Sequence, residues 1–269
     1  MTRLNTSKTI LITGASSGIG QALAERLTAD GHEVLLVARS SEKLRVIVCG
    51  IKERGGHAHY MAADLADKNG LDALVGAIKQ KYQKIDLLIN NAGIGWYGYF
   101  AQMPWETAQS LVLTNMLALV KLTHAFLPDM ITRNEGQIIN ISSIAGDLPV
   151  QGVILYASSK AFVNNFTKAL AREMTGTKIK ITLVKPGPVL TNFYNHANES
   201  NGYHIPGESL GITVEQASRT IIKCIGSSRR VVYVPGYFAF MPWVDRLLGP
   251  VIDRLGPMII PADKKGGVY

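Results

Sequence analysis

Short apolar runs, most of them rich in Val, Ile and Leu, recur between segments of helical length, and this pattern is the feature that most constrains the chain. Such runs are typical of parallel strands buried on both faces and joined by crossover helices. We predict strands near 9–13, 33–38, 58–62, 85–90, 137–142, 178–184 and 230–234, and helices near 18–30, 41–54, 68–82, 105–133, 155–174 and 213–227. Right-handed crossovers then give a doubly wound α/β sheet with helices on both faces, which binds ligands beyond the carboxyl ends of its strands.

Length and composition fit one well-filled core. The chain has 269 residues, of which 47% are hydrophobic, and at this size a single α/β domain is normal. We predict a main domain over residues 1–235 and a carboxyl-terminal extension over residues 236–269. The first eight residues are mostly polar, and the apolar run that follows is too short for an export or membrane-spanning segment. We therefore expect a cytoplasmic protein.

The cysteines and histidines predict neither disulfides nor a metal site. Cys49 and Cys224 are far apart in sequence and have no His or Cys nearby at metal-ligand spacing. His57 and His59 are close together, but no third ligand accompanies them. We expect a reduced protein without a bound metal.

The net charge of +8 does not by itself indicate nucleic acid, because basic and acidic residues are interspersed. Residues 220–269 hold seven Lys or Arg against three Asp, a net charge of +4. This basic region includes a repeated motif, at 244–250 and 251–257, and a group of large apolar residues before it: Tyr237, Phe238, Phe240, Met241 and Trp243. Three alternatives stay open for the extension, which can pack on its own domain, dock on a second subunit or contact a membrane surface peripherally.

A glycine-rich turn follows the first predicted strand and opens the first predicted helix. It reads Thr13-Gly14-Ala15-Ser16-Ser17-Gly18-Ile19-Gly20. Glycines let the backbone approach a pyrophosphate closely, and the amino end of a helix offers free N–H groups and a favourable dipole. Tight turns also need glycine for steric reasons alone, but the position after the first strand of a βαβ unit favours a dinucleotide site. The predicted contacts are Gly14, Ser16, Ser17, Gly18, Ile19 and Gly20.

Tyr156 and Lys160 are four residues apart in a predicted helix and therefore share a face. A cation next to a phenol favours the ionised phenol, which makes tyrosine a usable proton donor and acceptor near neutral pH. A surface helix that carries a Tyr and a Lys by chance would show the same spacing. The pair gains significance from the motifs around it.

Together with those motifs, the chain from Thr13 to Thr191 resembles the short-chain dehydrogenase/reductase family. The glycine spacing is that of the compact members of the family. The further matching segments are Asn90-Asn91-Ala92-Gly93, Asn115, Ser143, and Pro186-Gly187. The resemblance implies a Rossmann-type fold and an oxidoreductase that acts on a carbonyl or alcohol. It also implies a homodimer or homotetramer formed through the helices that carry Asn115 and Tyr156.

The resemblance implies four catalytic residues. Tyr156 would exchange a proton with the substrate oxygen, while Lys160 would activate the phenol and bond the nicotinamide ribose. Of two adjacent serines, the family pattern selects Ser143, thirteen residues before the tyrosine, to bond the reacting carbonyl. Asn115 lies in apolar company and needs a hydrogen-bond partner; a structural bond to backbone and a water-mediated proton path through Lys160 are the two interpretations.

Cofactor choice depends on the end of the second strand. An acid there would bond the ribose hydroxyl of NAD, but the chain has Val37-Ala38-Arg39-Ser40. Arg39 can pair with a 2′-phosphate, so we predict NADP(H), with NAD(H) as the alternative. The remaining cofactor contacts that the resemblance implies, besides Tyr156 and Lys160, are Asp64, Leu65, Asn91, Ala92, Gly93, Pro186, Gly187 and Thr191.

The segments expected to wall the substrate site contain few charges. Their large residues are Trp96, Tyr97, Tyr99, Phe100, Leu148, Val150, Val153, Phe193 and Tyr194, and residues 192–211 are interpreted as a flap. We therefore predict a small-molecule carbonyl or alcohol substrate with a lipophilic body. A non-catalytic dinucleotide-binding regulator or scaffold is the alternative function, and we expect no nucleic-acid partner.

Overall fold

The computed structural model describes residues 7–191, 193, 211–243, 246–247, 249 and 254. Its centre is a parallel sheet of seven strands in the order β3-β2-β1-β4-β5-β6-β7. The strands are β1 Thr9–Thr13, β2 Glu33–Ala38, β3 His57–Ala62, β4 Leu87–Asn90, β5 Gly136–Ile141, β6 Ile179–Pro186 and β7 Val231–Val234. The helices are α1 Gly18–Ala29, α2 Ser41–Glu53, α3 Lys68–Lys81, α4 Trp105–Val112, α5 Ala118–Arg133, α6 Ile154–Glu173 and α7 Val214–Ile222. The predicted doubly wound, Rossmann-type fold is confirmed.

The strand order reverses between β1 and β4, which are neighbours in the sheet. To one side of this point the chain builds outward through β2 and β3, and to the other side through β5, β6 and β7. The crevice where the order reverses is the usual ligand site of such sheets. The glycine-rich turn after β1 and the Asn90-Asn91-Ala92-Gly93 segment after β4 meet there.

Alternating strand residues fill two core layers, one on each face of the sheet. Ile10 and Ile12 of β1 belong to one layer, together with residues of α1, α2 and α7. Leu11, between them, belongs to the other layer, together with residues of α3, α5 and α6. Burial on both faces explains why the inner strands β1, β2 and β4 are nearly continuous apolar runs instead of alternating ones.

The predicted helix 105–133 is continuous but not uniformly α-helical. A π-helical turn over Leu113–Leu117 separates α4 from α5. Local apolar periodicity does not report such a turn, which is frequent at functional sites. By length and composition this helix could cross a membrane. Its buried side chains, including Leu122, Phe126 and Met130, pack in the core, which accounts for the apolar composition.

The other element boundaries agree with the prediction to within two residues at most ends. The largest difference is α7, which ends at Ile222 instead of Ser227. Backbone bonds of i to i+3 type, Cys224 to Ile221 and Ile225 to Ile222, tighten the chain there. The predicted flap lies outside the described residues except for Phe193 and Gly211, as does most of the repeated motif at 244–257.

Candidate active site

Thr13, the last residue of β1, ties the two sides of the crevice together. Its Oγ1 accepts hydrogen bonds from the backbone N–H groups of Asn91 (3.1 Å) and Ala92 (3.0 Å). The side-chain amide of Asn91 in return donates to the carbonyls of Thr13 (3.0 Å) and Gly14 (3.1 Å). Asn91 and Ala92, both predicted cofactor contacts, are therefore fixed against the glycine-rich turn.

Two glycines of the turn are required by close packing. Gly14 has φ +64°, and a Cβ there would lie 2.7 Å from the Cα of Ala92. A Cβ on Gly20 would overlap the carbonyl oxygen of Gly14 and lie 2.8 Å from the amide nitrogen of Asn91. This backbone surface, free of side chains, suits the close approach of a pyrophosphate.

The amino end of α1 carries no capping side chain. Ser17 precedes the helix and makes no side-chain hydrogen bond to it, whereas Ser40 and Asp67 cap α2 and α3 through their side chains. The first N–H groups of a helix need acceptors. An uncapped helix end beside glycines fits a phosphate group.

Other predicted cofactor residues lie along the same edge of the sheet. Thr191 approaches the turn, since a Cβ on Gly18 would lie 3.1 Å from its Cγ2. Arg39 and Asp64 follow the neighbouring strands β2 and β3 and are both exposed; Asp64 Oδ1 accepts from the N–H of Ala66 (2.9 Å). The structure does not link these two side chains directly to the turn.

Lys160 and Tyr156 lie on the same side of α6, as the spacing predicts. The Lys160 ammonium nitrogen is 5.7 Å from the centroid of the Tyr156 ring and donates to the carbonyl of Ile141 (3.1 Å). Only 5% of Lys160 is exposed, and this burial lowers the pKa of its ammonium group to about 8. A Cβ on Gly93 would lie 3.3 Å from the Lys160 nitrogen, so the chain after β4 passes close to this cation.

Asn115 lies in the π-helical turn, and all of its side-chain bonds are internal. Its Oδ1 accepts from the N–H of Ile94 (2.8 Å), and its Nδ2 donates to the carbonyl of Ile94 (2.9 Å) and to the hydroxyl of Ser159 (3.0 Å). Asn115 thus makes the structural hydrogen bonds to backbone that one of the two interpretations requires. The proton path through Lys160 remains a prediction.

The two adjacent serines, Ser142 and Ser143, differ in exposure and in hydrogen bonding. Ser142 is buried and donates to the carbonyl of Lys160 (3.0 Å). Ser143 is partly exposed, and its Oγ accepts from the N–H of Ala145 (3.1 Å). The hydroxyl hydrogen of Ser143 therefore remains available for a ligand oxygen.

The predicted walls of the substrate site are joined at one backbone bond. The N–H of Gly98 donates to the carbonyl of Gly152 (2.8 Å), and the Phe193 ring lies 5.6 Å from that of Tyr156. Trp96 and Tyr97 are almost fully buried, while Tyr194 is outside the described residues. A cavity of about 520 Å³ lies between 146–151 and the face of α6 that carries Ile154, Ser158 and Ala161, and Leu148 and Val150 help to line it.

The sequence did not reveal a charged cluster next to Ser143. Asp147 forms an ion pair with Lys185 at 2.6 and 2.7 Å and accepts a hydrogen bond from the Tyr233 hydroxyl at 3.0 Å. The side chain of Lys185 is fully buried. A lysine near the carboxyl end of a largely buried strand was the available signal, because a buried charge needs a partner.

One further segment of the predicted cofactor site is Pro186-Gly187. Pro186-Gly187 lies at the end of β6, where the ring of Phe238 occupies the space a Gly187 side chain would need.

Among the residues that the structure describes, no group of three or more His, Cys, Asp or Glu could hold a metal ion.

The crevice, the uncapped helix and the Tyr–Lys pair are the features of a dinucleotide-dependent dehydrogenase. A sequence profile of the family described as short chain dehydrogenase matches residues 8–202. The chain therefore belongs to the short-chain dehydrogenase/reductase family, which confirms the predicted resemblance and the oxidoreductase class.

Two curated relatives illustrate this family relationship. The ketoacyl reductase HetN of Nostoc sp. is 40% identical over 184 residues, which are 68% of this chain and 64% of that protein. The serine 3-dehydrogenase of Rhizobium radiobacter is 36% identical over 188 residues, 70% of this chain and 74% of that one.

Two solved structures are similar to this chain. A short-chain dehydrogenase from Sphingobium yanoikuyae in complex with NADPH is 28% identical, with a TM-score of 0.79 over 97% of this chain and 98% of that one. The bulky-bulky ketone specific alcohol dehydrogenase from Comamonas testosteroni is 27% identical, with a TM-score of 0.75 over 97% of each chain.

Proposed function

We propose that the chain is an NADP(H)-dependent oxidoreductase that interconverts a carbonyl group and a secondary alcohol. The observation that carries the proposal is the buried ammonium group of Lys160, 5.7 Å from the centroid of the Tyr156 ring. A cation so placed stabilises the ionised phenol, and it lies at the carboxyl edge of the sheet, beside the crevice.

The chain's own side chains divide the work of proton transfer and orientation. The Tyr156 hydroxyl gives a proton to the substrate oxygen during reduction and takes one during oxidation. Ser143 donates a hydrogen bond to that oxygen and so orients the substrate. Asn115 holds the Ile94 backbone and Ser159 in place. A nicotinamide held in the crevice would supply or accept hydride at the substrate carbon.

The residues of the crevice fit a dinucleotide. Gly14, Gly18 and Gly20, with Ser16, Ser17 and Ile19, would hold the pyrophosphate at the uncapped end of α1. Side chains added at Gly14 or Gly20 would collide with neighbouring backbone. Arg39 would pair with a 2′-phosphate. The adenine side would contact Asp64 and Leu65, and the nicotinamide side would contact Asn91, Ala92, Gly93, Tyr156, Lys160, Pro186, Gly187 and Thr191. The NADPH complex of the Sphingobium relative supports NADP(H) over NAD(H).

A lipophilic substrate body is the second part of the proposal. The Phe193 ring lies 5.6 Å from that of Tyr156, and the apolar residues Leu148 and Val150 line a cavity against α6. Apolar walls favour apolar ligands. The likeness to an alcohol dehydrogenase specific for bulky ketones supports the same substrate class.

The proposed setting is a cytoplasmic homodimer or homotetramer, with residues 236–269 as an extension of the main domain. Tyr237, Phe240 and Trp243 of this extension are each more than half exposed, and the region is basic, which supports a peripheral contact with an anionic membrane surface. Flotation with vesicles of anionic and neutral lipids, with and without residues 239–269, tests that contact. Loss of anionic-lipid binding on truncation is expected, and equal flotation of both forms would contradict it.

The central experiment separates cofactor binding from turnover. NADPH and NADH are titrated by nicotinamide fluorescence. NADPH oxidation is followed with a panel of decanal, cyclohexanone, 4-nitrobenzaldehyde, acetoacetyl-coenzyme A and pyruvate, and NADP⁺ reduction is followed with serine. We expect tighter NADPH binding and faster turnover of the apolar carbonyls. Turnover confined to the small charged compounds would overturn the lipophilic substrate.

Two tyrosine variants make the test specific. Tyr156→Phe should lose about 100-fold or more in kcat, because the proton donor is removed, with NADPH binding largely kept. Tyr60→Phe, in β3, is the matched control and should keep native turnover. A native kcat in Tyr156→Phe would end the proposed mechanism, and NADPH binding without any turnover by native protein would favour a regulator or scaffold.

A further inference from the structure

Asp147 collects four hydrogen bonds from three separate elements. Its Oδ1 accepts from the Lys185 ammonium (2.6 Å) and from the side-chain amide of Asn164 (3.1 Å). Its Oδ2 accepts from Lys185 (2.7 Å) and from the hydroxyl of Tyr233 (3.0 Å). Asn164 lies in α6, Lys185 in β6 and Tyr233 in β7, so one carboxylate joins a helix and two strands.

This carboxylate is close in sequence to Ser143. A 3₁₀-helix over Ile144–Asp147 connects them, and Ser143 caps it by accepting from the Ala145 N–H (3.1 Å). Gly146 within this turn touches α6, where a Cβ would lie 2.6 Å from the carbonyl carbon of Lys160. A turn held at both ends leaves the Ser143 side chain little freedom relative to α6.

Lys185 extends the connection toward the cofactor side. It is the residue before Pro186-Gly187, and its nitrogen lies 3.3 Å from the Tyr233 oxygen and 5.0 Å from the centroid of the Tyr233 ring. Burial and the negative charge of Asp147 raise the pKa of Tyr233 to about 12, so its hydroxyl keeps its hydrogen and remains a donor. The charged pair is therefore fully bonded although Lys185 is removed from water.

Fold stability does not require such a buried pair. A protein in which well-packed apolar residues of similar volume replace a buried ion pair is often as stable as the original, or more stable. Hydrogen bonds that connect several elements do, however, specify one geometry for those elements. Here α6 carries Tyr156 and Lys160, the turn that ends at Asp147 follows Ser143, and β6 leads to Thr191.

We propose that Asp147, Lys185 and Tyr233 are positioning residues that hold Ser143 in register with Tyr156 and Lys160. This inference rests on the proposed function, because the register matters for proton transfer. It assigns to the cluster an effect on kcat that exceeds its effect on cofactor binding or on unfolding.

The test uses two variants that keep the interior free of an unpaired charge. Tyr233→Phe removes one donor, and the double variant Asp147→Leu with Lys185→Met replaces the pair by apolar side chains. In the carbonyl panel above, we expect kcat with the fastest substrate to fall about threefold in Tyr233→Phe and about tenfold or more in the double variant. KM for that substrate and the Kd for NADPH should stay within about threefold.

Tyr82→Phe is the matched control. Burial also raises the pKa of Tyr82 to about 12, and its hydroxyl is buried without a hydrogen-bond partner among the described residues. It follows α3 and precedes β4, at the opposite edge of the sheet. We expect native kcat in this variant, and a loss equal to that of Tyr233→Phe would overturn the positioning role.

Two further readouts keep the inference falsifiable. Crystal structures of native protein and Tyr233→Phe with NADPH should show Ser143 Oγ displaced relative to Tyr156 by more than about 0.5 Å, and an unmoved Ser143 would overturn the inference even if the double variant failed to fold. Native kcat in Tyr233→Phe, with Tyr156→Phe inactive, would overturn the positioning role and leave the proposed function intact.

Discussion

Lys160 holds its ammonium group 5.7 Å from the centroid of the Tyr156 ring while only 5% of its own residue surface is exposed. The carbonyl of Ile141 accepts its hydrogen bond at 3.1 Å. Burial opposes the charge and lowers the pKa of Lys160 from 10.5 to about 8. The charged form of Lys160, which the proposed chemistry needs, therefore lowers the stability of the folded state.

The unfolding free energy should rise with pH through the alkaline range because of Lys160. Between pH 8 and 10.5 the unfolded chain binds more protons at this residue than the folded chain does, so stability is gained as pH rises and lost as pH falls toward 8. Urea unfolding of native protein and Lys160→Met at pH 7.5 and pH 10 measures the effect. The native protein should gain about 2 kcal/mol relative to the variant at the higher pH, and an unchanged difference would contradict the burial argument.

Asn115→Ala should lower both stability and turnover. The variant leaves the N–H and carbonyl of Ile94 without their side-chain partner, which costs about 1 to 3 kcal/mol when such groups are buried. Thermal unfolding and the carbonyl assay report the two effects. Asn69→Ala, on the exposed surface of α3, is the control and should change stability by no more than about 0.5 kcal/mol. Native turnover in Asn115→Ala would remove the residue from the site.

Gly14→Ala should abolish tight NADPH binding. The added Cβ meets a positive φ of +64° and a Cα of Ala92 at 2.7 Å, so both strain and collision oppose it. Gly55→Ala separates the two causes, because Gly55 has φ +80° and nothing within 4 Å of the added Cβ. That control should lose about 1 kcal/mol of stability and bind NADPH normally. Fluorescence titration measures the affinity of both variants for NADPH. Normal NADPH binding by Gly14→Ala would argue against a pyrophosphate at this turn.

Arg39→Ala should erode the preference for NADPH over NADH. A charge-assisted bond to a phosphate contributes about 1.5 to 3 kcal/mol, so the Kd for NADPH should rise by about tenfold or more, while the Kd for NADH stays the same. Arg45→Ala, an exposed position of α2, controls for the loss of one positive charge. An unchanged ratio of the two Kd values in Arg39→Ala would exclude the phosphate contact.

Much of the fold could be predicted because the inner strands are buried on both faces and therefore form local apolar runs in the sequence. The spacing of Tyr156 and Lys160 likewise follows from one helix. The π-helical turn around Asn115 could not be predicted, since its geometry depends on bonds to Ile94 and Ser159 that lie far away in sequence. The pairing of Asp147 with Lys185 joins residues 38 positions apart, and only the unexplained charge in a buried strand hinted at it.

Gly187 and Phe238 set a limit on how far the polypeptide can be shortened. The phenyl ring stands where any side chain at 187 would go, and it belongs to the 3₁₀-helix Gly236–Phe240 beyond the last strand. A stop codon directly after Val234 would remove that ring and open a hollow against the loop toward Thr191. The smallest self-sufficient fragment of this enzyme therefore reaches past its own sheet, into the aromatic segment.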